Sequence, residues 1–229
     1  MFFNDVPPRP VRAPQRGITG LETAIILIAF VIVASIFAFT VLSAGMFSAE
    51  RSKETVYAGL QEASDSLEPK GGVTVLSDSV SGTTSLVQVK FTVGGSVSGP
   101  DGALDLTPPY VLNSTGTDPD ASGLANSAVI SYMDSTQRVS SAVWTIEFVG
   151  GSNGDYVLER DEMAQITVWL HQLNTATGLY TLGTAGSSYL QNRLGVNTRF
   201  SITIDVGSGG AFVLERVVPG RLQSVMSLK

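Results

Sequence analysis

Few residues in this chain have the type and spacing to do chemistry. The first is Glu22, which stands in the apolar stretch QRGITGLETAIILIAF, residues 15 to 30. A carboxylate deep in a lipid-facing helix costs about 2.5–3.5 kcal/mol on insertion scales, so it calls for a partner. An Arg-Gly pair, Arg16-Gly17, lies five residues before it. His171 is the sole histidine, and a lone imidazole at the end of an apolar run, VWLH, reads as a structural or solvated group. Neither a phosphate-loop nor an H-E-x-x-H pattern occurs, and the expectation is a protein that is not an enzyme. Asp155, Glu159, Asp161 and Glu162 crowd one turn. Their oxygens would suit Ca2+, which takes about six to eight such ligands; a solvated acidic turn is the competing reading. Asn113-Ser114-Thr115 is a single N-x-[ST] sequon, an acceptor for an N-linked glycan in an exported chain.

These groups need elements to position them. The apolar run from Ile18 to about Phe47 is too long for the h-region of a cleaved secretory signal. It has the length of a membrane helix, about 20 residues or more. Ahead of it, MFFNDVPPRPVRAPQRG is proline-rich and holds Arg9, Arg12 and Arg16 against Asp5. Basic residues before an apolar segment keep that end in the cytoplasm and send the rest outward. Between Ile18 and Ser66 there is no proline, so nothing forces a break. The first half of this segment is apolar on all sides and must be surrounded by lipid or by other helices. The second half, SAERSKETVYAGLQEASDSLEP, mixes charge with a narrow apolar stripe of Val56, Tyr57, Leu60 and Leu67, and Pro69 with Gly71-Gly72 closes it. Ala34 and Ala38, four apart, would let a second helix approach closely.

After Gly72 the period changes to two. VTVLSDSV, SLVQVKFTVGG, SAVISYMD, SAVWTIEFVG, EMAQITVWLHQL, TRFSITIDVG and AFVLERVV each alternate or run apolar over a strand's length, with Gly, Asn, Asp or Ser between most of them. About seven or eight strands in an immunoglobulin-like β-sandwich fit that length. Trp144, Ile146 and Phe148 should face its core. Trp169 should be a core residue or, failing that, an inter-subunit one. Gly94 to Gly123 reads as a long polar loop region. The fold class is therefore α+β: a long N-terminal hydrophobic α-helix followed by an all-β sandwich. The divisions fall at residues 1–17, 18–68 and 69–229.

Composition narrows the partners. Asp and Glu number 20 against 14 Lys and Arg, a net charge of −6, which argues against nucleic acid. Cysteine is absent, removing disulfides, thiolate metal sites and Cys nucleophiles together.

The segment from Arg16 to Leu67 closely resembles the archaeal flagellins (archaellins), part of the type IV pilin-like superfamily. GDYVLERDEMAQITV and the ending FVLERVVPGRLQSVMSLK also look like that family, though Arg160-Asp161 stands where Pro-Gly would be expected. The resemblance implies that a prepilin-type membrane peptidase cuts after Arg16-Gly17, making Ile18 the mature N-terminus. Gly20 then matches the small residue that enzyme favours, and Glu22 the acid near the mature start. The spacing suits the chemistry: Glu22 lies four residues after Ile18, on one helix face with the new α-ammonium. In a filament the same carboxylate could meet a neighbouring subunit's terminus instead. Implied too are a helical homopolymer, an archaellum motor and assembly machinery, a membrane-held precursor, and an extracellular filament for swimming. Archaellins are often N-glycosylated, and some bind metal. An adhesive type IV-like pilin and a membrane-anchored ligand-binding surface domain remain the alternatives.

Overall fold

The computed structural model describes residues 16–64, 66–95, 103–159, 161–207 and 211–228, with side chains of the first segment described from 20 to 60. The chain divides into two compact units, Met1–Val56 and Tyr57–Lys229, and each has its own character.

Helix α1 runs over Arg16–Ser64, 49 residues, about 74 Å at 1.5 Å per residue. Residues 23 to 49 contain no Asp, Glu, Lys or Arg. The helix ends sooner than the breakers Pro69 and Gly71-Gly72 suggest. Leu67, expected on its apolar stripe, instead opens the first strand and is buried.

Strands follow in chain order: β1 (Leu67–Val80), β2 (Thr83–Gly95), β3 (Leu104–Asp105), β4 (Tyr110–Leu112) and β5 (Pro119–Ala121) come first. β6 (Ala128–Asp134), β7 (Arg138–Val139), β8 (Val143–Val149), β9 (Val157–Leu158) and β10 (Met163–Trp169) form the middle. β11 (Gln172–Asn174), β12 (Leu179–Thr181), β13 (Arg199–Val206), β14 (Phe212–Val217) and β15 (Val225–Leu228) complete the chain. The seven segments with period two correspond to β1, β2, β6, β8, β10, β13 and β14. The others are two to four residues long.

The larger sheet has the order β11-β12-β1-β2-β10-β8, with β15 also paired to β1. The smaller has the order β14-β13-β6-β7. Period two decides which faces meet. On β13, Phe200, Ile202, Ile204 and Val206 are buried while Arg199, Ser201, Thr203 and Asp205 are not. Those side chains and Ile130, Tyr132 and Leu214 share one core with Val75, Val89, Trp144, Ile166 and Val168 of the larger sheet. Each fully buried side chain of this size contributes about 1.5–3 kcal/mol. Phe91 and Phe212 bring their rings together from the two sheets, with centroids 6.4 Å apart.

Local devices fix the register. Ser81 and Gly82 have φ of 47° and 84°, the pair of left-handed residues that a two-residue hairpin turn requires. In β1 the pairing shifts between Lys70 and Thr74, where Gly71 has φ 85°. Such a shift is a β-bulge, and it turns a helix breaker into part of a strand. Gln137 ties the β6–β7 turn to a distant loop. Its Oε1 accepts from the Gln191 and Asn192 amides at 3.0 and 2.9 Å, and its Nε2 donates to Asn192 O at 2.9 Å and Asp134 Oδ2 at 3.1 Å. Gln137→Ala should therefore cost about 1–3 kcal/mol, read as a lower urea midpoint at unchanged slope; an unmoved midpoint would mean the loop is held by other contacts.

The Gly94–Gly123 region is less loop-like than its composition suggests. Residues 96–102 lie outside the described set, but Leu104 and Leu106 are fully buried and β3 pairs with β9.

Candidate functional site

The apolar half of α1 is a surface rather than a core. Phe30, Phe37, Phe39 and Val41 are each about 70% exposed, and Ile25, Ile26, Leu27 and Ile28, four successive positions facing all directions, are each more than half exposed. Gly20–Leu60 is long and apolar enough to cross a membrane. Ala34 and Ala38 lie exposed on one face, and a Cβ at Gly20 would meet nothing.

Sequence reasoning missed a further property of this helix. Three hydroxyls of its apolar half bond to their own backbone: Thr23 Oγ1 to Gly20 O at 3.1 Å, Ser35 Oγ to Val31 O at 2.7 Å and Thr40 Oγ1 to Phe37 O at 2.9 Å. Ser and Thr in helices commonly return a bond to the i−3 or i−4 carbonyl. The spacing was legible in the sequence; the rotamers were not. A donor satisfied in this way needs neither water nor a partner when the helix is placed among apolar groups.

Arg16, Gly17 and Ile18 lie within the helical backbone, and their side chains are outside the described set. Glu22 is exposed and makes no ion pair among the described residues. Because the helix begins at Arg16, its first turn holds no acid; Glu22 lies near the helix start only if the chain begins at Ile18. Further along, Arg51 sits over the Phe47 ring, 5.5 Å from its centroid, and pairs with Glu54 at 3.6 Å, where charged residues mix with the apolar ones.

The acidic turn is arranged around backbone amides. Asp155 Oδ1 accepts from Val157 N at 2.9 Å, and Glu162 Oε2 accepts from Glu159 N at 3.0 Å. Among the described residues no three His, Asp or Glu side chains converge as a metal cage. Asp161 has φ 65°, so it supplies the left-handed residue where glycine would be expected; Asp tolerates that conformation better than most residues. Arg160 lies outside the described set. Just before this turn, Gly150 to Gly154 has G-x-S-x-G spacing, but it follows β8 into a loop with no helix after it, so the strand–turn–helix elbow is missing.

Asn113 sits in the tip of the β4–β5 hairpin, half-buried, with Ser114 and Thr115 exposed. Its Oδ1 accepts from Thr115 Oγ1 at 2.8 Å and from Thr117 N at 3.0 Å. The side-chain nitrogen takes part in neither bond, so it is the oxygen that shapes the loop.

His171 is fully buried, and neither ring nitrogen has a hydrogen-bond partner. Burial first, and the Arg193 guanidinium second, push its pKa down to about 4. It has no access to a substrate. Trp169 is buried too, but on the face of the larger sheet away from the main core, and its Nε1 donates to Thr145 Oγ1 at 3.1 Å.

A long helix with an uncharged, exposed apolar stretch from residue 23 to 49, joined to a β-rich unit, defines a structural subunit whose helix must be solvated by lipid or by other helices. The profile of the archaeal-type flagellin family matches residues 17–216, and the chain belongs to that family; it is a structural subunit of a filament. It is 30% identical to "Probable flagellin 1" of Aeropyrum pernix, over 91% of this chain and 94% of that one. With "Probable flagellin 1" of Archaeoglobus fulgidus it shares 28% identity over 93% of this chain and 95% of that one. It is also similar to the archaeal flagellum of Methanospirillum hungatei, with a TM-score of 0.48 and 20% identity over 91% of this chain and 98% of that one.

Proposed function

We propose that this subunit is made as a membrane-held precursor, cut between Gly17 and Ile18 by a prepilin-type peptidase, and moved into an extracellular helical filament that a membrane motor rotates for swimming. The observation that carries this reading is the exposed apolar helix with its self-bonded hydroxyls. Such a helix is equally at home in hydrocarbon and in a bundle of copies, since both satisfy its backbone internally and keep its side chains from water. Transfer between them has little net hydrophobic drive. Contacts specific to the bundle must set its direction, and the Glu22 carboxylate with the Ile18 amine is the pair best suited to do so. A head-to-tail contact that does not close on itself repeats into an open helical polymer. The match to the family starts at Gly17, which supports the assigned boundary. The subunit itself performs no catalysis in this reading.

The mature N-terminus tests it. Mass spectrometry of sheared filaments should give Ile18 as the first residue, and Gly17→Phe should leave the leader attached and the surface bare. An intact Met1 in assembled filaments would contradict the scheme.

The hairpin carrying Asn113 belongs to the exported unit, and we assign it an N-linked glycan. A glycopeptide map should show added mass on the Asn113 peptide. Thr115→Ala should abolish that mass while leaving the bond from Thr117 N to Asn113 Oδ1 in place. Unmodified Asn113 in native filaments would remove the assignment.

A further inference from the structure

The outward face of the larger sheet buries polar groups where apolar ones would be the simpler choice. Gln88, Thr145 and Thr167 alternate with the core residues Val89, Trp144, Ile166 and Val168, so they lie on the opposite face. Yet they are only 6%, 2% and 5% exposed. In register, Lys90, Thr167 and Thr145 form one row across β2, β10 and β8. Two hairpins overhang this floor: β4–β5 through Leu112 and Thr117, and β11–β12 through Leu173 and Tyr180. Together they bound a cleft of about 440 Å³, within the usual range of about 300–1,000 Å³ for a small-ligand site.

The protein uses part of the polar capacity in this cleft. Trp169 Nε1 donates to Thr145, and Gln88 Nε2 donates to the Tyr180 hydroxyl at 3.3 Å. Other groups are left over. Lys90 and Glu147 both line the cleft, and neither forms an ion pair among the described residues. Asp78, on the same lining, accepts from its neighbour Ser79 N. An ammonium and two carboxylates therefore share a pocket with Trp169 and Tyr180.

We propose that this cleft binds a single sugar ring. An anion would meet Asp78 and Glu147, and a cation would meet Lys90. A neutral polyol suits both, donating hydroxyl hydrogens to the carboxylates and accepting from the ammonium and the Gln88 amide. Trp169 and Tyr180 line the cleft but are only 4% and 8% exposed, so they shape its floor and leave recognition of the sugar to the polar groups around them. The ring has two sources. One is the glycan of this subunit or of its neighbour in the filament, since the hairpin that bears Asn113 is also a wall of the cleft. The other is a foreign saccharide. The first source rests on the glycan assignment above; the second does not.

The test uses full-length filaments prepared without sugar-based detergent. Saturation-transfer NMR would be run with glucose, galactose, mannose and N-acetylglucosamine at millimolar concentration. At least one sugar should receive saturation from Thr115→Ala filaments, and Lys90→Met and Glu147→Gln in that background should each weaken it about tenfold or more, as expected for loss of a charged hydrogen bond. Transfer to Thr115→Ala filaments and not to native ones identifies the native occupant as the chain's own glycan; transfer to both identifies a foreign sugar. No transfer to either, or transfer unchanged by both substitutions, overturns the proposal. Normal filaments in that case leave the assembly reading standing.

Discussion

Cells whose only copy of this subunit is Glu22→Gln should export it, remove its leader and assemble no filaments. Glutamine keeps the size and one acceptor oxygen of the side chain, replaces the other oxygen with an NH2 donor and removes the charge. In lipid the loss is harmless, since the carboxylate is itself the costly group there. In a helix bundle it leaves the Ile18 ammonium without its counter-ion among apolar neighbours. Breaking a buried ion pair by removing one partner costs about 3–5 kcal/mol. Each added subunit meets that cost again, and about 1.4 kcal/mol corresponds to tenfold in an equilibrium constant. The critical concentration for growth would then rise by at least a hundredfold. The measurement is filament yield by shearing and electron microscopy, beside the amount of cleaved subunit in the membrane. Filaments of normal abundance would remove Glu22 from the assembly step. The proposed scheme requires cutting to precede growth: before it there would be no amine at Ile18, and the carboxylate would be the group left alone.

The parts of this structure most legible in the sequence are those where one physical effect dominates. A run of 27 uncharged residues, 23 to 49, admits only a surrounded helix. Strict alternation, as in Phe200-Ser201-Ile202-Thr203-Ile204, admits only a strand with one face buried. Where two effects compete, local pattern misleads. Pro69 and Gly71-Gly72 stop helices, but they also suit a bulged strand, and pairing with β2 and β15 decides between the two. β15 itself is four residues long and takes its place from partners more than 140 positions away, which no local window can see. Trp169 was expected in the core as a large apolar side chain, and it is buried. Its face, however, follows from its position in β10, odd where Ala164, Ile166 and Val168 are even, and its cover comes from hairpins too short to announce themselves. The cleft lined by Gln88, Thr145 and Thr167 was illegible for the same reason: polar residues on alternate positions read as a solvated face until something folds over them. Among the residues named for function, Arg16 to Ile18, Glu22, Ala34 and Ala38 lie on one helix because sequence distance there fixes spatial distance. The four acids of the turn do not converge, because in a loop it does not.

Acid should loosen the β-rich unit through one residue. His171 takes up a proton with an ordinary pKa near 6.5 in the unfolded chain but only near pH 4 in the folded one. Burial is the main cause, and the Arg193 guanidinium adds like-charge repulsion; a backbone group of Leu190 pulls the other way but falls short of bonding geometry. Between those two values the unfolded state binds a proton that the folded state does not. Stability then rises with pH, so it is fully present above pH 6.5 and lost as pH falls toward 4. The slope is at most about 1.4 kcal/mol per pH unit, giving roughly 3 kcal/mol over the window. Asp134 and Asp105 act in a separate range. Burial raises each, but hydrogen bonds outweigh it, from Thr136, Gln137 and Tyr132 to the first and from Ser127 and Thr107 to the second. Both end below the usual carboxylate range, so their contribution fades only under more acidic conditions. His171→Leu separates the two. Leucine fills the site without orphaned nitrogens, a replacement that is nearly neutral or stabilising at pH 7. Urea midpoints of the full-length protein at pH 7 and pH 4.5 should move apart in the parent and stay much closer in the variant. An equal drop in both would place the acid sensitivity elsewhere. The loop that would feel the charge first is the one Arg193 holds, through bonds to Val80 O at 2.8 Å and Ser81 O at 3.0 Å. Those carbonyls belong to the β1–β2 turn, so a charged imidazole beside the guanidinium would act on the two longest strands of the larger sheet.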